Sequence, residues 1–346
     1  MADWKSLLRQ AFHDGGRMIV TVTPNPSIDR TAALPGELVR GGVHRISSVF
    51  SEPGGKGVNV ARALTLAGLD VVAILPAGHD DPILAGLRSQ EVAFHAVPVA
   101  GAVRTNLTIT EPDGTTTKFN EPGAVLEPAE AQSLTQAVAD LARSATWVVL
   151  SGSLPPGLPD SWYSDTVAAL RSHGCKVAVD TSEDPLAALA RGLDHAAPDL
   201  IKPNAEELAS LAGESTLSLE AATSRGDTEP VVRAARRLIE RGVGAVLATL
   251  GAAGAVLVDA DGAWLATPPP IRPRSTVGAG DSALAGYLRA DVEGATAPAR
   301  LQMAVAYGSG AAALPGSAMP TPAQLNLDDV NVTPLASRPS PTEGAL

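Results

Sequence analysis

The stretch Ser275-Thr-Val-Gly-Ala-Gly-Asp-Ser282 places three small residues directly before an aspartate, and a helix-like apolar spacing follows it. The small residues are Gly278, Ala279 and Gly280, and the aspartate is Asp281. The first N–H groups of a helix have no partner within the helix and lie at the positive end of its dipole. Such a terminus favours an anion, and a phosphoryl group suits it. Asp281 could cap this helix, or it could take a proton from a hydroxyl beside that group.

A second glycine-rich stretch lies far upstream, Glu52-Pro-Gly-Gly-Lys-Gly-Val-Asn-Val-Ala61. Its glycines allow a ligand to approach the backbone closely. Lys56 is followed by glycine rather than serine or threonine, so this is not a P-loop. A helical pattern ends at Gly68, and a strand-like run, Asp70 to Leu75, comes next. The order of strand, turn, helix and strand recurs and predicts an α/β fold, with a parallel sheet covered by helices on its faces.

Composition limits the class of protein. The chain has 346 residues, 45% of them hydrophobic, which is enough for one large core. Its net charge of -11 argues against a nucleic-acid or acidic-membrane surface, although a small anionic substrate needs only a few local cations. A single cysteine, Cys175, excludes a disulfide framework. Glycines interrupt the longest apolar stretch, Val243 to Val258, and no apolar leader precedes Arg17, so we expect a cytoplasmic protein that binds neither nucleic acid nor membrane.

Two segments interrupt the regular alternation and predict a small sheet outside the main one. Residues 30–50 are β-like, and residues 92–119 contain three short strand-like runs joined by turns. We expect these segments to form a lid. We expect the main domain to span residues 18–326, after an N-terminal extension of residues 1–17 or a start at Met18. The tail, residues 327–346, is rich in Pro, Ser and Asp, which predicts disorder.

The two glycine-rich stretches resemble the two signatures of the ribokinase-like, or phosphofructokinase B-type, carbohydrate kinases. Three further stretches of this family stand between them in the family's order: Ser151-Gly-Ser-Leu-Pro-Pro-Gly157, Lys202-Pro-Asn-Ala-Glu-Glu-Leu208 and Thr249-Leu-Gly-Ala-Ala-Gly254. The resemblance covers roughly residues 18–325, and five motifs in order are a specific signal. The resemblance implies a doubly wound αβα sandwich with a small β-sheet lid, and a homodimer joined through that lid. It also implies that the protein uses Mg²⁺ and transfers a phosphoryl group from ATP to a sugar hydroxyl.

Within that family, the chain looks most similar to the 1-phosphofructokinase and tagatose-6-phosphate kinase branches. The stretches that suggest this are Thr23-Pro-Asn-Pro-Ser-Ile-Asp29, Arg104-Thr-Asn-Leu-Thr108 and Phe119-Asn-Glu-Pro-Gly123. The similarity implies a phosphosugar as the acceptor, with fructose 1-phosphate as the leading expectation. The alternatives are tagatose 6-phosphate, fructose 6-phosphate, an uncharged sugar or nucleoside, and a sugar-phosphate sensor without catalysis.

The resemblance also implies a role for each matched residue. The catalytic base falls on Asp281, and the anion hole on Gly278, Ala279 and Gly280. The residues expected to hold the phosphosugar are Asp29, Gly54, Gly55, Lys56, Asn59, Arg104 and Ser153, with Arg45 as a further cation for its phosphate. Strand alternation adds Asn106, since it shares a face with Arg104. The residues expected to hold the nucleotide are Lys202, Asn204, Thr249, Gly251 and Gly254, and Mg²⁺ is expected at Glu207.

These residues also have structural interpretations. Asp29 could cap a turn beside its prolines, and Ser153 could belong to its loop alone. Lys56 could be a solvated loop lysine, and Arg45 a residue of the lid surface. Glu207 could be an ordinary acid in the first turn of a helix. The positions of these side chains in the folded chain separate the two interpretations.

Overall fold

Strands and helices alternate through most of the chain, as the sequence pattern predicts. A computed structural model describes residues 17–215, 219, 222, 223 and 225–335. In this part of the chain the strands are β1 (Ile19–Val22), β2 (Ser27–Ala33), β3 (Ser48–Gly54), β4 (Val71–Ala77), β5 (Phe94–Pro98), β6 (Arg104–Thr110), β7 (Thr116–Asn120), β8 (Trp147–Ser151), β9 (Lys176–Asp180), β10 (Leu200–Ile201), β11 (Ala245–Thr249), β12 (Ala255–Asp259), β13 (Ala263–Thr267) and β14 (Asn331–Pro334). The helices are α1 (Lys56–Leu66), α2 (Pro82–Ser89), α3 (Pro128–Ala142), α4 (Trp162–Leu170), α5 (Glu183–Ala196), α6 (Ala205–Ala212), α7 (Glu229–Glu240), α8 (Ala279–Val292) and α9 (Ala297–Ala312). None of the helices described is long and apolar enough to cross a membrane.

Ten of the strands form one sheet, which is parallel through its centre. The order is β14-β13-β12-β11-β10-β9-β8-β1-β4-β5, and the strands from β11 to β5 all run parallel. β12, β13 and β14 extend the sheet in antiparallel fashion. Strands that are covered on both faces need apolar side chains throughout, and every residue of β4 and β8 is buried. The two outer strands, β5 and β14, each end in a proline, Pro98 and Pro334.

Helices cover both faces of this sheet, so each face has its own core. One core packs α3, α4, α5, α6 and α7 against the sheet and includes Leu134 and Trp162. The other packs α1, α2, α8 and α9 and includes Val58 and Leu284. This three-layer arrangement confirms the expected doubly wound α/β fold.

Four strands form a second, smaller sheet, which we call the lid and which comprises residues 27–54 and 104–120. Its order is β3-β2-β6-β7, with β2 antiparallel to β3 and parallel to β6. The chain enters the lid a few residues after β1 and leaves it at the start of α1. In the register of the strands, Asp29 of β2 stands between Glu52 of β3 and Asn106 of β6. Its connections therefore hold the lid beside the carboxyl ends of the parallel strands.

The predicted boundaries of the lid are wrong in two places. The run from Val92 to Val97, expected as a lid strand, belongs to the main sheet as β5, which pairs with β4. Residues 34–47, expected to be β-like, connect β2 to β3 without forming a strand. A short apolar run bounded by turns has the same pattern in either sheet, so periodicity alone cannot assign it.

The first part of the tail predicted to be disordered is ordered. Residues Asn331–Pro334 form β14, which pairs with β13, and Val330 before them is buried. The partner strand lies more than sixty residues upstream, with Leu265 opposite Thr333, so local composition could not indicate this pairing. The rest of the tail, residues 336–346, and the predicted N-terminal extension up to residue 16 lie outside the described residues.

Candidate active site

Polar side chains converge where the lid meets the carboxyl edge of the main sheet. In doubly wound sheets, ligands bind outside the carboxyl ends of the strands. Here β1, β9 and β10 lead to Asn25, Asp180 and Lys202 respectively. All three side chains are buried, although each is polar or charged. Buried polar groups need partners, so their surroundings define the candidate site.

The N-terminus of α8 has the form of an anion site. Gly278 is its N-cap and lies in the left-handed region, at φ 76°, which favours glycine. The backbone N–H groups of Gly280 and Asp281 have no hydrogen-bond partner in the described part of the chain. A Cβ atom at Gly280 would lie 3.2 Å from Nζ of Lys202, so this ammonium group packs against the first turn. Free N–H groups, the helix dipole and a lysine therefore all favour negative charge at one place.

Asp281 lies on this turn, with 7% of its surface exposed. Its Oδ2 accepts a hydrogen bond of 2.9 Å from Nδ2 of Asn59, and the N-cap of the helix is Gly278 instead. Burial, followed by the negative charge of Asp180, raises the pKa of Asp281 to about 6, while Lys56, Asn59 and Lys202 limit the rise. A carboxylate with this pKa is ionised at neutral pH and accepts a proton more readily than an exposed aspartate does.

Asp180, at the end of β9, is a site residue to which the sequence analysis assigns no role. It is fully buried, and its Oδ1 lies 2.7 Å from Nζ of Lys56 while its Oδ2 lies 3.1 Å from Nζ of Lys202. Burial would raise its pKa, but the two ammonium groups hold the pKa of Asp180 below its usual value. An acid at the carboxyl end of a buried parallel strand is the sequence signal that could have found it.

The link from the lid to α1 carries Gly55 and Lys56. Gly55 is the N-cap of α1, at φ 105°, again in the region that favours glycine. Burial would lower the pKa of Lys56, but the carboxylates of Asp180 and Asp281 outweigh it and raise that pKa above its usual value. Lys56 is therefore a charged partner of the buried acids rather than a solvated loop lysine. Asn59, in the same helix, reaches Asp281, so α1 supplies two side chains to this cluster.

At the other end of the site, the lid strands place an acid and an amide side by side. Oδ1 of Asp29 accepts hydrogen bonds from Oγ of Ser27 at 2.7 Å and from Nδ2 of Asn106 at 3.0 Å. Oδ1 of Asn106 is buried without a partner among the described residues. A Cβ atom at Gly54 would overlap the carboxylate of Asp29, so a glycine is required there. The pair offers oxygen acceptors suited to a polyhydroxylated ligand.

Arg104, at the start of β6, donates only to neutral oxygens. Its Nη1 bonds to the carbonyl of Glu121 at 2.9 Å, and its Nη2 bonds to the carbonyl of Asn25 at 3.3 Å and to Oγ of Ser153 at 3.2 Å. Its Nε is buried without a partner, and it forms no ion pair in the described part of the chain. Burial lowers the pKa of Arg104, against the opposing charges of Asp29 and Glu121. An open cavity of about 420 Å³ lies beside it, and Arg104 is the one cation among the described residues that line this cavity, together with the acids Asp160, Glu183 and Asp184.

Asn204 and Glu207 form the first turn of α6. Oδ1 of Asn204 accepts from the N–H of Glu207, and Oε2 of Glu207 accepts from the N–H of Asn204, both at 2.8 Å. This reciprocal arrangement is a capping box, which gives Oε2 of Glu207 a structural role. The N–H of Thr249 bonds to the carbonyl of Pro203 at 2.9 Å, which brings the end of β11 beside this turn.

The turn after β11 contains two glycines, one with free space around it and one packed against the backbone of a neighbouring strand. A Cβ atom at Gly251 would meet nothing within 4 Å, and residues Gly251–Ala253 are exposed. Gly254 lies at φ 100°, and a Cβ atom there would overlap the carbonyl oxygen of Ala266. The turn thus presents a shallow surface of small residues beside α6, at the place where the sequence predicts the nucleotide.

Arg45 is the predicted site residue that the structure leaves apart from the others. It is exposed on the segment of residues 34–47 and makes no hydrogen bond or ion pair with any described residue. This position agrees with the interpretation of Arg45 as a residue of the lid surface.

Within the described ranges, no group of three or more His, Cys, Asp or Glu side chains could hold a metal ion. Mg²⁺ commonly needs less from a protein, namely one or two carboxylates besides substrate phosphates and water. The capping box uses only Oε2 of Glu207, whereas Asp180 is engaged by two lysines. Glu207 is therefore the side chain that fits a metal carried by a nucleotide.

Comparisons with known protein families, sequences and structures all find similarity to sugar kinases. The family model described as pfkB family carbohydrate kinase matches residues 23–324. A 1-phosphofructokinase of Xanthomonas campestris pv. campestris is 39% identical over 280 residues, which cover 80% of this chain and 85% of that protein. A 1-phosphofructokinase of Rhodobacter capsulatus is 35% identical over 312 residues, which cover 89% and 94%. A crystal structure of phosphofructokinase-2 from Escherichia coli in complex with substrates and products superposes with a TM-score of 0.80 at 32% identity, covering 89% of this chain and 96% of that one.

Proposed function

Because this chain belongs to the pfkB family of carbohydrate kinases, we propose that it transfers the γ-phosphoryl group of ATP to fructose 1-phosphate, giving fructose 1,6-bisphosphate and ADP. One observation supports a phosphorylated sugar as the acceptor. The site has a buried carboxylate beside an anion-binding turn at one end and, at the other, an arginine that has no ion pair among the described residues, Arg104. A kinase whose acceptor already bears a phosphate needs both features.

The catalytic end supplies a base and a cradle for the transferring group. The acceptor hydroxyl oxygen bonds to the γ-phosphorus, the bond from that phosphorus to the bridging oxygen breaks, and ADP leaves with the electron pair. Asp281 accepts the hydroxyl proton, for which its raised pKa suits it. The free N–H groups of Gly280 and Asp281 and the ammonium group of Lys202 face the charge on the phosphoryl oxygens.

The lid end supplies recognition of the sugar. Asp29 and Asn106 can accept and donate hydrogen bonds to hydroxyl groups, and the unpartnered Oδ1 of Asn106 gains a partner when a hydroxyl arrives. Arg104 takes the phosphate of the sugar, because it donates only to neutral oxygens and forms no ion pair with any carboxylate of the described residues. Ser153 bonds to Arg104 and Asn25 and holds the guanidinium toward the cavity.

The nucleotide end lies between the turn of residues 251–254 and the start of α6. Asn204 and Thr249 pair with each other there, and Lys202 lies two residues before Asn204. Mg²⁺ would neutralise part of the charge on the ATP phosphates, with Glu207 as its protein ligand. Loss of Glu207 would therefore weaken metal-dependent nucleotide binding while leaving the capping turn short of one acceptor.

The lid also provides the surface for a homodimer. Strand alternation and register place Leu107 and Phe119 on the face of the lid opposite to Asp29 and Asn106. Phe119 is 53% exposed, and Val49 on the same face is 44% exposed. Apolar side chains on a solvent-facing sheet surface favour association, and a second copy of the lid offers the matching surface. We place the enzyme in the cytoplasm, where ATP is its phosphoryl donor.

A turnover screen tests this function. Purified protein is supplied with ATP, Mg²⁺ and one of fructose 1-phosphate, fructose 6-phosphate, tagatose 6-phosphate or free fructose, and ADP release is measured. We expect the highest kcat/KM for fructose 1-phosphate and very weak turnover of free fructose. A preference for either 6-phosphate would instead make the chain a 6-phosphofructokinase or a tagatose-6-phosphate kinase. Tight binding of a sugar phosphate without any ADP release would favour a non-catalytic sensor.

A further inference from the structure

Arg62 is a buried arginine, 5% exposed, that lies one turn after Asn59 on α1. Its Nη2 pairs with Oε1 of Glu52 at 2.8 Å, and its Nε donates to Oε1 of Gln90 at 2.6 Å. Its Nη1 donates to Oδ1 of Asn59 and to the carbonyl of Pro53, both at 3.2 Å. Burying a guanidinium is costly unless its donors are satisfied, and here every nitrogen has a partner. No motif in the sequence indicates a role for this residue.

The bond from Arg62 decides which way the amide of Asn59 points. An amide has one accepting and one donating end, and Arg62 can only donate. Oδ1 of Asn59 therefore faces Arg62, and Nδ2 faces Asp281, to which it donates at 2.9 Å. A reversed amide would put an oxygen against the carboxylate of Asp281 and an NH₂ group against the guanidinium. Both contacts would be repulsive, so Arg62 and the ionised Asp281 favour the same orientation of the amide, and Arg62 still favours it when Asp281 is protonated.

The ion pair with Glu52 also connects the guanidinium of Arg62 to the lid. Glu52 lies on β3 directly opposite Asp29 of β2, and its Oε2 accepts a hydrogen bond of 2.5 Å from Oγ of Ser317. A continuous set of contacts thus runs from the lid strand through Glu52, Arg62 and Asn59 to Asp281.

We propose that Arg62 is a positioning residue, which orients Asn59 so that Asp281 is held as an ionised base and which ties that base to the lid strand carrying Glu52. The proposal rests on the proposed function, because it takes Asp281 as the base. It adds a residue that touches neither the sugar nor the nucleotide and acts through Asn59 alone.

The surroundings of Asp281 give this proposal a specific signature. The groups that face it are Asn59 and Lys56 from α1, Asp180 from β9, Lys202 after β10 and the N-terminus of α8. Among these, only the hydrogen bond from Asn59 depends on Arg62. Loss of a hydrogen bond to the ionised form raises the pKa of a carboxyl group. Without Arg62, Asp281 is therefore protonated over a wider pH range, and the loss of turnover is greatest at low pH.

The test is the pH dependence of kcat for Arg62→Met, with Arg300→Met as the matched control. Arg300 pairs with the buried Asp291 at 3.2 Å and is not among the groups that face Asp281. For Arg62→Met we expect the acid limb of the kcat profile to move up by about one pH unit, which is roughly a tenfold loss below that limb and little loss well above it. The KM for ATP should stay within about twofold, and Arg62→Lys should recover part of the shift, since lysine still donates to Asn59.

The control variant should lose thermal stability without moving the acid limb. If Arg62→Met lowers kcat by the same factor at every pH, Arg62 only supports the fold and the proposal is wrong. If that variant does not fold, the double variant Glu52→Gln with Arg62→Met avoids leaving an unpaired buried acid, and an unshifted acid limb in it overturns the proposal equally. Turnover of fructose 1-phosphate by the unaltered protein, measured in the same series, separates the two hypotheses, because its absence would reject the proposed function, whereas an unshifted acid limb in Arg62→Met rejects only the role of Arg62.

Discussion

The two ends of the site differ in how their charged side chains are paired. At the catalytic end, Lys56 and Lys202 pair with Asp180, and Asp281 is hydrogen-bonded to Asn59. At the lid end, Nε of Arg104 and Oδ1 of Asn106 are buried without partners. The lysines at the first end form ion pairs within the cluster, whereas Arg104 forms no ion pair among the described residues, although the charges of Asp29 and Glu121 act on it.

This difference separates chemistry from selection. Charged side chains that form ion pairs with one another hold a fixed geometry, which suits a reaction that is the same for every acceptor. Buried polar atoms without partners cost free energy until a ligand supplies the missing bonds, so they favour one ligand over its analogues. We infer that the main sheet determines what reaction takes place and the lid determines which sugar undergoes it.

The largest expected effect comes from breaking the catalytic end. Asp281→Asn keeps the shape of the side chain but cannot take a proton, so kcat should fall roughly a hundredfold or more. Steady-state turnover and calorimetric binding of fructose 1-phosphate and ATP are the measurements, and binding should persist. Near-normal kcat in the folded variant would show that Asp281 has only a structural role, and the contrast between the two ends would disappear.

Breaking the lid end should weaken the sugar phosphate selectively. Arg104→Ala removes a charged hydrogen-bonding partner, so the KM for fructose 1-phosphate should rise roughly ten- to a hundredfold. The KM for ATP should change little. Arg40→Ala, which removes an exposed arginine from residues 34–47, is the matched control and should leave both constants unchanged. Equal losses for both substrates would place Arg104 at the nucleotide instead.

The electrostatic cost of the catalytic end can be measured through stability. The pKa of Asp281 in the folded protein, about 6, lies above its usual value of 3.8, so its ionised form destabilises the fold. This cost is complete above pH 6 and disappears as the pH falls from 6 toward 4. Asp281→Asn should therefore raise the free energy of unfolding by about 1–3 kcal/mol at pH 7.5, with a smaller gain at pH 5. Denaturant unfolding at both pH values measures this, and Asp80→Asn, at an exposed aspartate, should give no gain.

The smallest effect on turnover should come from the outer face of the lid. Phe119→Asp places a charge where two lids would meet, so light scattering should report half the mass of the unaltered protein. Thr116→Asp, on the opposite face of the same strand, should leave the mass unchanged. The kcat should change by no more than a few-fold, because Phe119 lies on the face away from Asp29. An unchanged mass in Phe119→Asp would remove this face from the dimer.

The sequence predicts those parts of the molecule that local chemistry determines. Glycine-rich turns must stand where the backbone takes a left-handed conformation, and Gly55 and Gly278 do so. Alternation and register bring Asn106 beside Asp29, as expected for residues on one face of paired strands. The recurring order of strand, helix and strand likewise predicts the parallel sheet.

Pairings between distant residues are what the sequence does not predict. Asp180 acquires its place from Lys56 and Lys202, which lie 124 residues before it and some twenty after it. β5 and β14 are assigned by the strands beside them rather than by their own composition. In the sequence, Arg62 is one more residue of a helix, and only the folded structure shows its contacts with Glu52 and Asn59.

The outer strands of the main sheet have a consequence for how the protein behaves in a crowded solution. An edge strand with free N–H and C=O groups can recruit a strand from another molecule and begin aggregation. Here both edge strands are short, and one ends in Pro98 and the other in Pro334. A proline has no backbone N–H, so each edge strand lacks one hydrogen-bond donor for an added strand. With a net charge of -11 the molecules also repel one another. The rim of the large sheet therefore disfavours assembly, and a closed dimer through the lid, as we propose, would not extend into an open-ended fibre.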